Sequence, residues 1–176
     1  MRVRTALLVC LACTGCPCDP GVPEVFYDGF ERGCGEMPCG WTVEDGTAER
    51  VSTIHAGEHG VRLEGRISRD IDVELSQSTE GVDLAFLMVW CDAGAGLEIR
   101  VEIDEAGTPG VLTGTIDAGT VPEDGIMETM EVHLGARLPP YPLVTATRIS
   151  IEVTGSGGCT VDELRILSGH DLQCMG

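Results

Sequence analysis

Several groups of residues in this chain are of types that could do chemistry. Asp70, Asp72 and Glu74 alternate with apolar residues, so their carboxylates stand in a row with successive members about 6.8 Å apart. Carboxylates so spaced suit weak cation binding or glycosidase-like acid–base work. Nothing beside them marks a cleft or a wall that would raise one pKa, and the row reads as a solvated strand face. His55 and His59 bracket Glu58 at a spacing that serves zinc on a helix. Here the setting is a Gly-containing turn, and both read as solvated turn residues. The chain has no Gly-x-Ser-x-Gly elbow, phosphate-binding loop or Cys–His pair. It is expected not to be an enzyme.

Charge narrows the partners. The chain carries 29 acidic residues against 11 basic ones, all of them Arg, for a formal charge of −18. Such a surface repels phosphate backbones, and counterion release cannot favour association, so nucleic acid is excluded as a partner.

The N-terminus has the layout of an export signal. Arg2 and Arg4 precede the apolar run Ala6–Ala12, which is too short to span a membrane. Thr14-Gly15-Cys16 then resembles the bacterial lipobox, with Cys13 standing where that motif usually has Leu. The resemblance implies cleavage before Cys16 and lipidation of its thiol, giving a signal peptide over 1–15, a lipidated cysteine with a short tether over 16–24, and a folded domain over 25–176. Loss of Arg2 and Arg4 leaves nine Arg against 29 acidic residues, a charge of about −20. Acyl chains on Cys16 would anchor the domain to a membrane without embedding it. Pro17 follows Cys16 in place of the Asp associated with inner-membrane retention, so the expected location is the outer membrane or cell surface; the alternative is a secreted soluble product.

With Cys10 and Cys13 in the leader and Cys16 lipidated, Cys18, Cys34, Cys39, Cys91, Cys159 and Cys174 remain. Six thiols in an exported domain imply three disulfides, for which about 15 connectivities exist. Cys34 and Cys39 bracket a short loop and are expected to pair. Cys18 and Cys174 lie at the two domain ends, and Cys91 ends one apolar strand where Cys159 begins another. Metal ligation is disfavoured because the mature chain has no Cys-x-x-Cys.

Those side chains must be positioned by strands. The chain has 24 Gly and is rich in Val, Ile and Thr. Val25–Phe30 reads as the first strand, and Trp41–Asp45 with Ala48–Thr53 as a hairpin about Gly46. Val61–Gly65 follows a turn, and Ile67–Ser76 alternates, with Ile67, Ile71, Val73 and Leu75 on one face. In 97–104, Leu97, Ile99, Val101 and Ile103 face in. In 83–91 both faces are apolar: Leu84, Phe86, Met88 and Trp90 on one, Ala85, Leu87, Val89 and Cys91 on the other. Such a strand is covered on both sides or turns its second face to a ligand. About ten short strands with regular turn signals predict an all-β, two-sheet antiparallel sandwich, a jelly roll.

The order of landmarks is similar to that of the galactose-binding-like jelly rolls, in particular carbohydrate-binding modules that open on a Phe-Glu step. The matching parts are Gly29-Phe30-Glu31, Gly40-Trp41, Gly57-Glu58-His59-Gly60 before Val61-Arg62-Leu63, and the closing Val161-Asp162-Glu163-Leu164-Arg165-Ile166. The resemblance implies one structural Ca2+, with ligands at the Gly29 carbonyl, the Glu31 side chain, a carbonyl near His59, and Asp162. Asp162 also shares strand parity with Leu164 and Ile166, which would place a carboxylate inside, in need of a partner.

Sugar recognition needs aromatic faces for stacking, and aromatics are scarce. Trp41 reads as an edge of the core. Trp90, beside Phe86, and Tyr141, in Leu-Pro-Pro-Tyr-Pro-Leu, are the candidate ligand-binding residues. The expectation is an exported, lipid-anchored, non-catalytic binding module for glycan or another surface polymer. The alternative is a structural or adhesion lipoprotein that uses the same fold to contact surface proteins.

Overall fold

The computed structural model describes residues 24–52, 57–75, 81–120, 126–136 and 144–171. Cys16, Cys18, His55, Tyr141 and Cys174 lie outside them, and with them the expected lipidation site and the two cysteines at the domain ends. Among the described residues all regular structure is β. The strands are β1 (Glu24–Asp28), β2 (Gly33–Cys34), β3 (Met37–Pro38), β4 (Thr42–Ser52), β5 (His59–Leu75), β6 (Gly81–Cys91), β7 (Ala95–Glu105), β8 (Thr108–Ile116), β9 (Glu128–Ala136), β10 (Val144–Gly155) and β11 (Cys159–Asp171).

The large sheet runs β8-β7-β10-β5-β11-β6-β9, entirely antiparallel, with β4 added to β5 and β1 to β11. Strand β5 explains how this path folds into a sandwich. One of its edges carries β4. The other is divided, pairing with β11 over Val61–Leu63 and with β10 from Arg66 to Leu75. The layer β1-β11-β6-β9 is thereby joined through β5 to the layer β8-β7-β10-β5. At the far side β8 and β9 close on one another: a Cβ on Gly114 of β8 would stand 2.6 Å from the His133 carbonyl oxygen of β9. Only a glycine allows that approach.

The core follows strand alternation. Leu97, Ile99, Val101 and Ile103 of β7 are buried, against Ile149 and Ile151 of β10, Val61, Leu63 and Ile67 of β5, and Leu87 and Val89 of β6. Each such side chain contributes about 1.5–3 kcal/mol by leaving water. Cys91 and Cys159 face each other in the β6–β11 register and are disulfide-bonded, both wholly buried. Cys34 and Cys39 are also bonded, closing the β2–β3 hairpin.

Two sequence expectations are corrected. The hairpin expected about Gly46 is a single strand, β4, and the two segments 61–65 and 67–76 are likewise one strand, β5. Gly46 is opposite Gly65, beside a register shift between Val43 and Asp45. Their φ angles are +72° and +137°. A Cβ on Gly46 would lie 1.9 Å from the Glu64 oxygen, and one on Gly65 2.3 Å from that of Asp45. The glycines mark a bulge where two backbones touch, not a turn. The first strand ends at Asp28, because Phe30 adopts φ +54° and leaves the ladder.

The Cys91–Cys159 bond joins residues 68 apart in sequence. Replacing both by Ser is expected to lower the unfolding free energy by about 2–5 kcal/mol, read as a lower urea midpoint.

Candidate functional site

The two layers present different outer faces. On β4, β5, β7 and β10 the arginines Arg66, Arg100 and Arg148 are paired with acidic residues. Arg66 holds Glu152 through Nε at 2.8 Å and through Nη2. Arg148 meets Glu44, Ser68 and Asp70, and Arg100 lies 3.9 Å from Glu102. Among the described residues this face carries no aromatic ring. Asp70 is held by Arg148 while Asp72 and Glu74 are exposed, so the carboxylate row is a solvated strand face.

The outer face of β6 and β11 is different. Ala85, Leu87, Val89 and Cys91 fill the core, whereas Phe86, Met88 and Trp90 are half-buried on the other side of the strand. Leu84, expected with those three, is fully buried. Antiparallel register sets the neighbours of each exposed ring. Arg62 of β5, Thr160 of β11 and Trp90 of β6 form one rung. The Arg62 guanidinium lies over the Trp90 ring, 5.3 Å from its centroid, and is paired with Asp92. The Gly158 N–H donates to the Asp92 carboxylate at 2.8 Å, and together with Arg62 it lowers the Asp92 pKa against the opposing effect of partial burial. Arg62 Nη1 and Trp90 Nε1 are buried N–H groups with no acceptor. Leaving such donors unpaired is costly.

Two rungs along, Arg165 of β11 sits between Phe86 of β6 and Tyr27 of β1, its guanidinium 5.2 Å from the Tyr27 ring centroid. Glu24 and Glu163 hold Arg165 at 3.6 and 3.5 Å. Glu24, Phe86, Glu163 and Arg165, with Met88 and Thr129, line a groove of about 410 Å³. That volume falls within the range of small-ligand sites. Trp90 thus belongs to an outer face shared with Phe86 and Met88. Register pairing between residues about a hundred positions apart brings Arg62 and Arg165 to this face, and single-strand alternation showed only that they point outward.

Trp41 packs in the core, its ring centroid 5.5 Å from that of the fully buried Phe30. Asp28, which sequence reasoning passed over, gathers this corner. Its carboxylate accepts from Phe30 N at 2.8 Å, from Trp41 Nε1 at 2.9 Å and from Arg69.

The four residues named for calcium occupy unlike surroundings. Glu31 is exposed, and its Oε1 accepts from the N–H groups of Glu58 and His59 at 2.7 and 3.2 Å, with His59 Nδ1 3.3 Å from Oε2. The turn therefore offers donors to Glu31 where a cation would need carbonyls. Beside Gly29, the Phe30 and Glu31 carbonyls are taken by the guanidinium of Arg50. Asp162 is fully buried, and its Oδ1 accepts from Glu163 N at 2.7 Å. A bulge with Glu163 at φ +46° resets strand parity between Asp162 and Arg165, so the parity argument for Asp162 does not hold although its burial does. Among the described residues, no three His, Cys, Asp or Glu side chains form a metal-binding group. The donor set around Glu31 does not fit a divalent cation.

No protein-family model and no curated protein matches the chain. Solved structures similar to it include the C-terminal family 22 carbohydrate-binding module of a Clostridium thermocellum xylanase, at 12% identity and a TM-score of 0.49, covering 86% of this chain and 98% of that one. A family 61 module in complex with β-1,4-galactotriose is similar at 16% identity and a TM-score of 0.38, over 73% of this chain and 88% of that one. An adhesin domain of Lys-gingipain has 15% identity and a TM-score of 0.45, over 82% of this chain and 98% of that one. The chain's own strand pairing defines the all-β antiparallel sandwich.

Hydrogen bonds to its ionised form set the pKa of Asp92 below the usual carboxylate range. Glu31 is likewise lowered: partial burial opposes the shift, but the N–H groups of Glu58 and His59 outweigh it. A depressed folded pKa contributes stability above the unfolded value that is lost as pH falls through the folded one. Melting temperature should accordingly drop as pH goes below about 4. Asp92→Asn should flatten part of that acid limb, read by thermal melts across pH 6 to 3.

Proposed function

We propose that this protein is an exported, non-catalytic binding module, anchored at the outer membrane or cell surface through lipid on Cys16, that holds an uncharged glycan chain along the outer face of β6. One observation carries the reading. Phe86, Met88 and Trp90 form an apolar strip whose flanking polar groups are paired Arg and Glu or Asp. Sugar rings offer apolar faces to aromatic side chains and hydroxyls to such polar pairs. From Phe86 to Trp90 the strip runs about 14 Å, long enough for a segment of a polymer.

Charge favours a neutral chain. Arg62 and Arg165 are already matched by Asp92, Glu24 and Glu163, and the molecule as a whole is at −18. An acidic polymer would meet a repulsive field, and the two arginines described on this face are already paired with carboxylates.

Affinity electrophoresis and calorimetry with soluble xylan, galactan and β-glucan test the reading, with polygalacturonate as the acidic counterpart. Binding to a neutral polymer should change little between about 0.05 and 0.5 M salt. Phe86→Ala or Trp90→Ala should weaken it roughly tenfold, about 1.4 kcal/mol. Absence of binding to every neutral polymer would overturn the reading in favour of protein contacts through the same fold. Mass spectrometry of the exported product tests the anchor: an unacylated N-terminus, or one not at Cys16, removes it.

A further inference from the structure

The corner around Glu31 is built on a guanidinium. Arg50, on β4, donates from Nε to the Phe30 carbonyl at 3.2 Å and from Nη2 to the Glu31 carbonyl. Its own backbone N–H donates to the Glu36 carbonyl at 2.7 Å, so its root is fixed between β4 and the β2–β3 hairpin. Phe30 sits at φ +54°, a region that costs a bulky residue. Asp28 accepts from its N–H while Arg50 bonds its carbonyl, so both ends of the strained residue are held. Glu31 then extends the link to a third segment by accepting from Glu58 N and His59 N. That grip leaves no room beside it: a Cβ on Gly57, which has φ +90°, would lie 1.8 Å from Glu31 Oε1.

We infer that Arg50 and Glu31 together act as the staple of this corner, joining the 30–31 segment, β4 and the 57–59 turn, and that the fold does not depend on a divalent cation there. A hard cation needs free carbonyl and carboxylate oxygens around it. Here two carbonyls already accept from a guanidinium, and one oxygen of the only carboxylate in the staple accepts from two backbone N–H groups. The fixed positive charge of Arg50 would also repel an incoming ion. A planar fork reaching two adjacent carbonyls is a task for Arg that Lys cannot repeat.

The test uses the exported domain, with unfolding followed by circular dichroism in EDTA, in about 10 mM CaCl2, and in MgCl2 of equal ionic strength as the reference for screening. The expected result is one melting temperature in EDTA and no difference between calcium and magnesium. A calcium site with a Kd of about 10⁻⁴–10⁻³ M would instead raise the melting temperature by several degrees in the calcium arm. That rise, or a fall in EDTA, would overturn the inference. Arg50→Met should lower the melting temperature by several degrees without creating calcium dependence, and a melt like that of the wild type would equally overturn it. If Arg50→Met does not fold, Arg50→Lys is read in its place against the same two outcomes. The wild-type calcium arm decides independently of either variant.

Discussion

The rung at which β5, β11 and β6 meet is the constraint on which the rest of the molecule depends. Over Cys159–Val161, β11 pairs with β5 on one side and β6 on the other, and the Cys91–Cys159 bond ties that register from within the core. Because side chains alternate, one register decides everything across the three strands. Val61, Val161 and Val89 point into the core together, and Arg62, Thr160 and Trp90 point out together. A slip of one residue would bury the arginine and expose the valines. The disulfide makes that slip unavailable, so the outer face is as well determined as the core behind it.

Beyond that rung β5 changes partners, and this is how one continuous ladder makes two layers. The change coincides with the Gly46–Gly65 contact, where the backbones of β4 and β5 touch and the strands bend. The layers then diverge in chemistry. On one, Arg66 and Arg148 close upon Glu152, Glu44 and Asp70. On the other, rings alternate with ion pairs, and buried donors lack acceptors. Surface ion pairs contribute little stability individually. Their consequence here is chemical contrast: ion pairs knit one face, and half-buried rings interleave with them on the other.

Much of this was legible in the sequence, and what was not has a common physical cause. The in-and-out pattern of β7 and the two apolar faces of β6 could be read directly, because alternation is a local property. The glycine at position 46 misled, since a glycine permitting close backbone contact and a glycine making a turn look alike in one dimension. Arg62 meeting Trp90, and Arg165 meeting Phe86 and Tyr27, depend on long-range register, which no local pattern encodes. Asp28 and Arg50 are of the same kind: each acts on backbone groups or side chains brought near by the fold. The Glu31 motif was noticed for its carboxylate, but the character of the corner is decided by an arginine 19 positions away. The bulge at Glu163 shows a further limit, because one inserted residue invalidates parity counting beyond it.

The glycine at 114 has a consequence for how copies of this protein meet one another. By letting β8 lie against the backbone of β9, it turns two strand edges toward each other, and neither is offered as a template for a neighbouring chain. The outer edge of β4 is occupied in part by the β2–β3 hairpin, through Arg50 N and the Glu36 carbonyl, and it bears Glu44, Asp45 and Glu49. Strand-to-strand growth would bring those carboxylates together. With the β8 and β9 edges turned toward each other and the β4 edge charged, this long sheet offers little strand edge along which copies could add to one another.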